Sequence, residues 1–236
     1  MRTSTNSGCP PSRHYLASKT PSTTHDILWM QWKLALDWLH SLDDGRRQIT
    51  IDIESTPLEG HGDQQALFYC GFTEAYKLHP LMLFDGEIGQ LIKVVLRPGD
   101  AGDSADIEHW IPCLVTALKF LHRQDCCTVV RGDAGFATPR LYRALVRHDR
   151  LWGPMGYLIG FRSNSVIIQQ LKPAIQTARR ISEQRNEKAR VFTSFSYQDN
   201  SWKRPRTIIG KAEVTEQGNN PRFLVTNFAQ TAPRPL

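Results

Sequence analysis

Two short segments that are apolar almost throughout restrict the fold more than any other feature of the sequence. They are CTVVRGD at residues 127–133 and GYLIGF at residues 156–161. Central strands of a parallel sheet have this composition because helices cover both of their faces. Between the two segments, Pro139 lies near the start of a predicted helix that continues to about residue 148. The segments therefore predict a mixed α/β core.

The segment ITIDIEST, residues 49–56, has the two-residue period of a strand with one apolar and one polar face. Its isoleucines alternate with polar residues, which places Asp52 and Glu54 on the same face of the strand. An Asp-Gly pair at 85–86 marks a hairpin turn between two further strands. Strands are also predicted at residues 66–72, 79–84, 89–96, 191–197, 206–214 and 222–228.

Helices are predicted at residues 26–42, 105–124 and 164–188. The resulting order of strand, hairpin strands, helix, strand, helix and strand is consistent with an α/β fold of the ribonuclease-H-like type. Its mixed sheet is followed by a β-rich insertion or subdomain. The predicted division is a poorly ordered N-terminal remnant (1–25), a helix leading into the core (26–48), the core (49–163), a helix with the β-rich insertion (164–228) and a tail (229–236).

The charge of the chain favours a polyanionic partner such as DNA. The formal net charge is +6 at pH 7 and the pI is about 9.2. No apolar run is long enough for a transmembrane helix, so no membrane partner is expected. Five cysteines without regular spacing favour free thiols in a reducing compartment. The expected location is the cytoplasm.

Asp52 and Asp133 are the candidate catalytic residues, although each alone has an ordinary interpretation. Asp52 interrupts an apolar strand, yet it could simply face solvent. Asp133 ends an apolar strand, where open α/β sheets place ligand sites, yet it could simply cap the next helix. Together, two carboxylates on rigid strands suit Mg²⁺ or Mn²⁺. Two such ions, about 4 Å apart, can activate the attacking and leaving oxygens of a phosphodiester.

Six segments, in order over about residues 49–228, resemble DDE-type transposases of bacterial insertion sequences. The most specific are VVRGDAGF and KAEVTEQGNNPRFLVTNF, and ITIDIEST corresponds to a D-x-D/E first strand. The resemblance implies metal-dependent DNA cleavage and strand transfer, with two Mg²⁺ or Mn²⁺ ions in an intact relative. It also implies element ends and target DNA as partners, and a homodimer.

By this resemblance Asp52 and Asp133 match the first two catalytic carboxylates, which would bind the metal. Glu54 matches a second acid in the first strand and is assigned only an auxiliary role. His61 matches a family His-Gly pair and would contact DNA or order its loop, or serve only the structure. In the family, a catalytic Glu lies on a helix beyond the NPRFLVTN strand. No such residue is found here, and the tail at residues 229–236 does not resemble the family. We therefore expect a C-terminally truncated copy with little or no activity. The resemblance also implies a bacterial cytoplasmic protein associated with the nucleoid.

Trp202, Lys203, Arg204 and Arg206 form a basic segment that suits contacts to DNA phosphates and stacking. The alternative is a solvated turn. Two other functions remain open from the sequence. The first is a non-catalytic DNA-binding or dimerising remnant of a transposase, and the second is a different ribonuclease-H-like nuclease. The β-rich region after residue 190 counts against the second.

Overall fold

The computed structural model of the protein describes residues 24–43, 45–62, 66–71, 74–121, 126–152 and 155–228. The helices are α1 (Thr24–Ser41), α2 (Ile107–Leu121), α3 (Pro139–Trp152) and α4 (Ser165–Arg185), with a short 3₁₀ helix at Ala134–Phe136. The strands are β1 (Gln48–Ser55), β2 (Leu58–Glu59), β3 (Phe68–Cys70), β4 (Ala75–Leu78), β5 (Leu81–Asp85), β6 (Leu91–Val95), β7 (Cys127–Gly132), β8 (Met155–Phe161), β9 (Ala189–Tyr197), β10 (Arg206–Thr215), β11 (Gly218–Asn219) and β12 (Arg222–Thr226).

One large mixed sheet carries most of the strands, in the order β6-β5-β1-β7-β8-β12-β10-β9. The strands β1, β7 and β8 run parallel to one another. On the other side of β1, β5 pairs antiparallel with β1, and β6 pairs antiparallel with β5. The predicted apolar segments are therefore neighbouring central strands, and the predicted hairpin turn after Asp85 joins β5 to β6. This arrangement confirms the predicted α/β fold with a mixed sheet.

The predicted β-rich insertion continues the main sheet. Strand β12 pairs antiparallel with β8, β10 pairs with β12, and β9 pairs with β10 along almost its whole length. Helix α4 packs against β9 and β10, and Asn164 caps its first turn by accepting a hydrogen bond from Ile167 N at 3.1 Å. The insertion therefore extends the edge of the sheet next to β8.

A small second sheet, in the order β2-β4-β3, follows directly after β1. The sequence predicts one strand in this region, at residues 66–72, and β3 occupies the middle of that segment. The other two strands have only two and four residues, which is too short for a two-residue period to be recognisable in the sequence. This sheet follows the C-terminal end of β1 in the chain.

Helix α1 is attached to the sheet through a buried carboxylate. Asp85, which is fully buried at the end of β5, accepts hydrogen bonds from Trp38 Nε1 at 2.9 Å and from Arg46 Nη1 at 2.6 Å. Burial alone would raise the pKa of Asp85, but these hydrogen bonds and that of Glu87 N lower it to about 2. The carboxylate therefore stays ionised and holds α1 against β5.

Two predictions concern the ends of the chain and its relation to membranes. Apart from the first residues of α1, the predicted N-terminal remnant (1–25) and the tail (229–236) lie outside the described residues. Among the helices that the structure describes, none has both the length and the apolar character of a membrane span.

Candidate active site at the carboxyl ends of the parallel strands

The acidic residues selected from the sequence lie where β1 and β7 end side by side. In the parallel pairing of these strands, Asp52 is opposite Arg131 and Ile53 is opposite Gly132. The next pair along the two strands is therefore Glu54 and Asp133. Because side chains two residues apart share a face, Asp52, Glu54, Arg131 and Asp133 all project from the same face of the sheet.

Asp52 is engaged in a two-point ion pair with Arg131. Its Oδ1 accepts a hydrogen bond from Arg131 Nε and its Oδ2 accepts one from Nη2, each at 2.6 Å. Arg131 Nη2 also donates to Gly86 O at 3.2 Å. A Cβ atom on Gly86 would lie 2.9 Å from both Asp52 oxygens and from Arg131 Nη2, so a side chain there would push this pair aside. Both carboxylate oxygens of Asp52 are therefore occupied by a protein cation.

Glu54 has no such cation. Its side chain is exposed, but partial burial raises its pKa above the ordinary value of 4.5, and the negative charges of Asp133 and Asp52 raise it further. The described residues provide no ion pair or hydrogen bond to its carboxylate. The carboxyl ends of β1 and β7 therefore bring together negative charges whose repulsion a bound cation would relieve.

Two glycines lie close to Asp133, one bonded to its carboxylate and the other packed against its backbone. Asp133 Oδ1 accepts a hydrogen bond from Gly135 N at 2.8 Å and caps the 3₁₀ helix, which is the local role considered from the sequence. A Cβ atom on Gly160 of β8 would lie 2.8 Å from Ala134 N and 2.9 Å from Asp133 C. Glycine at this position therefore allows β8 to approach and fix the Asp133 backbone.

A buried polar network supports the same region from the residue after Glu54. Arg97 is 2% exposed and donates to Ser55 Oγ at 2.7 Å and to His79 O at 2.8 Å. It also donates to three carbonyl groups of the loop at residues 102–105. In that loop, Asp103 Oδ1 lies 3.3 Å from His79 Nε2. The Asp103 carboxylate also packs against Gly135, where a Cβ atom would collide with it. Arg97 thus links the end of β1 to the turn that follows Asp133.

The donor set suits a hard divalent cation with part of its shell left open. Within the described residues, no group of three or more His, Cys, Asp or Glu side chains is arranged to hold a metal ion. Mg²⁺ sites, however, commonly use one or two carboxylates and fill the remaining positions with water and substrate phosphate. Glu54 and Asp133 together meet that requirement.

The basic segment lies beside a pocket of about 400 Å³ between α3 and the start of β10. Trp202 is only 5% exposed, and its ring packs against those of Tyr142, Phe161 and Tyr197. Arg206 lies 4.3 Å above the Tyr142 ring and donates to Tyr157 Oη at 2.6 Å. The two residues form the pocket floor, and stacking of Trp202 on a base would require its ring to move.

The remaining cations of the pocket are more accessible. Lys203 and Arg204 are exposed, and Arg143 and Arg147 of α3 line the same depression from the other side. The pocket adjoins a second depression, because Trp202 of the pocket contacts Phe161, with ring centroids 5.3 Å apart. Phe161 in turn lines a cleft of about 740 Å³ that contains Asp133. The register of β7 with β8 pairs Arg131 with Leu158, however, so Tyr157 and Phe161 lie on the face of the sheet opposite to Arg131 and Asp133. The basic pocket is therefore on the face covered by α3, and the acidic residues project from the other face.

His61 is the remaining residue selected from the sequence. It is exposed between β2 and residues that the structure does not describe. No hydrogen bond or ion pair joins it to Glu54 or Asp133 in the described part of the chain. The structure therefore does not bring His61 into the acidic site.

The sequence profile of one protein family, described as transposase DDE domain group 1, matches residues 10–236. This chain belongs to the transposase DDE domain family. The match spans nearly the whole chain, including most of the predicted N-terminal remnant (1–25) and the tail (229–236). A search of curated proteins gives no match.

Two solved structures are similar to this DDE domain. One is piggyBac transposase in a synaptic complex with hairpin DNA, with 15% identity and a TM-score of 0.44. The similarity covers 79% of this chain and 34% of that one. The other is Argonaute of Aquifex aeolicus, with 11% identity and a TM-score of 0.34, over 79% of this chain and 23% of that one. The DDE domain thus spans about a third or less of these chains, and neither similarity supports a functional assignment.

Several residues of the DDE domain that shape the site were not selected from the sequence. Arg131 precedes Asp133 by two residues, but its partner Asp52 is 79 positions away, so only the pairing of β1 with β7 reveals the contact. Arg97 lies in the segment that resembles the family, yet its five hydrogen bonds join three parts of the chain. An arginine directly after an apolar strand was the one available signal.

Proposed function

We propose that this chain performs the metal-dependent DNA phosphoryl transfer of transposition, with Glu54 and Asp133 as the metal-binding carboxylates. One observation carries the proposal. Burial and the charges of Asp133 and Asp52 raise the pKa of Glu54, at the point where β1 and β7 end together. Uncompensated carboxylates at the end of parallel strands indicate a cation site.

Each acidic residue then has its own task. Asp133 is a rigid ligand because Gly135 N holds one oxygen of its carboxylate and Gly160 lets β8 pack against its backbone. Glu54 reaches the same position from β1 with a longer side chain. A bound Mg²⁺ or Mn²⁺ would supply Lewis-acid activation of a water or a 3′-hydroxyl and stabilise the leaving oxygen.

Asp52, the first ligand expected from the sequence, has a different role in this proposal. Its ion pair with Arg131 joins β1 to β7 in addition to the backbone pairing that sets their register and brings Glu54 next to Asp133. The charge of Arg131 disfavours a metal ion at Asp52, because the guanidinium already neutralises this carboxylate. We therefore propose Asp52 as a positioning residue.

DNA is the proposed partner, and the basic pocket supplies its backbone contacts. Lys203, Arg204, Arg143 and Arg147 give a concentrated positive charge around one depression of the surface. Contacts of this kind neutralise phosphates without reading sequence. We propose that bacterial insertion-sequence DNA is the substrate, as the family resemblance implies. The described residues supply two acidic ligands rather than three, so we expect slow cleavage.

A plasmid-nicking assay with Mn²⁺ or Mg²⁺ tests the proposal. We expect slow nicking that disappears in Glu54→Gln and in Asp133→Asn, with an Arg179→Gln variant on α4 as a surface control. Nicking that persists in both acidic variants would refute the proposed site.

The second candidate is a non-catalytic DNA-binding remnant of a transposase, which the basic pocket favours. Tight DNA binding without any metal-dependent nicking would support it. Measuring DNA binding in EDTA, and then nicking after addition of Mn²⁺ to the same samples, separates the two functions.

A further inference from the structure

The cleft that contains Asp133 has a positively charged side, which is formed by residues outside the proposed metal site. Residues at 132–134, 160–163 and 221–224 line it, at the ends of β7 and β8 and the start of β12. Arg162 follows β8 directly and Arg222 begins β12, and both are exposed. Two guanidinium groups therefore share a cleft of about 740 Å³ with the carboxylate of Asp133.

The two arginines are direct neighbours across the strand pair. The antiparallel register of β8 and β12 places Leu224 opposite Gly160 and Phe223 opposite Phe161. The next pair outward is Arg222 and Arg162. Like charges directly opposite each other destabilise a sheet, so this arrangement costs free energy in the protein alone.

Nothing in the described part of the chain offsets that repulsion, since neither guanidinium has a carboxylate partner there. Three other arginines of the main sheet and its connections have a carboxylate partner: Arg131 pairs with Asp52, Arg190 with Glu213 and Arg46 with Asp85. An unpaired cross-strand arginine pair in a concave site points to an anionic ligand.

We propose that Arg162 and Arg222 form a clamp for one phosphodiester group of the DNA strand bound at the Asp133 site. This inference rests on the proposed function, because it assigns the phosphate to DNA. The carboxylate of Asp133 repels a DNA strand from one side of the cleft, and the two arginines attract it to the other. Each guanidinium can donate two parallel hydrogen bonds to phosphate oxygens, which fixes the strand beside the carboxylates.

The test is the salt dependence of DNA binding, measured in EDTA so that no metal contributes. Fluorescence anisotropy of a labelled DNA duplex is recorded over a range of NaCl concentrations for Arg162→Gln, Arg222→Gln and the double variant. The slope of log K against log salt is expected to fall by about one per arginine removed. The matched control is Arg179→Gln with Arg180→Gln on the exposed face of α4, which should change the slope by less than half as much.

A charge reversal separates binding from folding. Arg162→Glu creates an opposite-charge pair with Arg222, so its thermal unfolding temperature should equal or exceed that of wild type. Its DNA affinity should nevertheless fall at least tenfold. An unchanged salt slope in the double glutamine variant would overturn the clamp. So would competition by inorganic phosphate, at matched ionic strength, that is equally strong in wild type and the double variant.

The clamp and the metal site fail in distinguishable ways. Suppose that the salt slope falls in the arginine variants but the protein binds no Mn²⁺ at Glu54 and Asp133. That result would support the clamp and refute the proposed metal site. Mn²⁺ binding at those carboxylates with an unchanged salt slope would remove the clamp alone.

Discussion

Replacing Gly160 with alanine should disturb Asp133 without touching any acidic side chain. Gly160 lies on β8, and a Cβ atom there would lie 2.8 Å from Ala134 N and 2.9 Å from Asp133 C. Both contacts are with backbone, which cannot rotate away as a side chain can. The strain must therefore be relieved by moving the segment that carries Asp133.

The size of the movement follows from these distances. Ordinary van der Waals contact begins at 3.4 Å, so the Asp133 backbone must shift by roughly 0.6 Å. Overpacking of this kind typically costs about 1–3 kcal/mol of stability. A displaced ligand of this kind should weaken Mn²⁺ binding by about tenfold to a hundredfold, as loss of supporting contacts does in other metal sites.

The assay is an Mn²⁺ titration followed by the relaxation of water protons, together with thermal unfolding. Gly156→Ala, on the same strand, is the matched control. A Cβ atom there would meet only the ring of Phe228, which is 40% exposed and can rotate outward. The control should keep Mn²⁺ affinity within about twofold of wild type. Equal Mn²⁺ affinity in Gly160→Ala and Gly156→Ala would refute the role of Gly160.

Three further outcomes follow from the same structure. Asp85 has its pKa lowered from 3.8 to about 2, so its contribution of roughly 2 kcal/mol is present above pH 4 and is lost as pH falls towards 2. Asp85→Asn should remove that loss in urea titrations across the window, and an unchanged pH dependence would count against it. Arg97→Met should cost about 3 kcal/mol or more, because five hydrogen bonds are lost in a buried site, and a destabilisation below about 1 kcal/mol would contradict this. Because Mn²⁺ must compete with protons for Glu54, whose pKa is raised, Mn²⁺ affinity should begin to fall at a pH above 4.5; affinity constant down to pH 4.5 would be inconsistent with this.

The strands that form the core of the sheet were predictable because their patterns are local. The apolar segments at β7 and β8 and the two-residue period at β1 each depend on fewer than ten adjacent residues. Very short strands such as β2 carry no period. The continuation of the main sheet through β12 was also missed, because pairing with β8 brings together residues more than 60 positions apart.

The site was predictable only in part for a similar physical reason. A period of two places Asp52 and Glu54 on one face, but it does not say which of them stands beside Asp133. That depends on the register between β1 and β7, which a shift of one or two residues would change. The burial of Trp202 was also not predictable from its neighbours in the sequence. Its basic neighbours indicated a surface residue, whereas rings from three separate elements bury it.

The most direct measurement is paramagnetic broadening of backbone amide signals by Mn²⁺ in nitrogen-15 NMR spectra. We expect broadening around Glu54 and Asp133 in wild type, and its loss in Glu54→Gln. The double variant Asp52→Asn with Arg131→Gln removes the ion pair without leaving a free cation, and it should keep most of the broadening. Loss of broadening in the double variant, with retention in Glu54→Gln, would show that Asp52 is the metal ligand and that Glu54 is not.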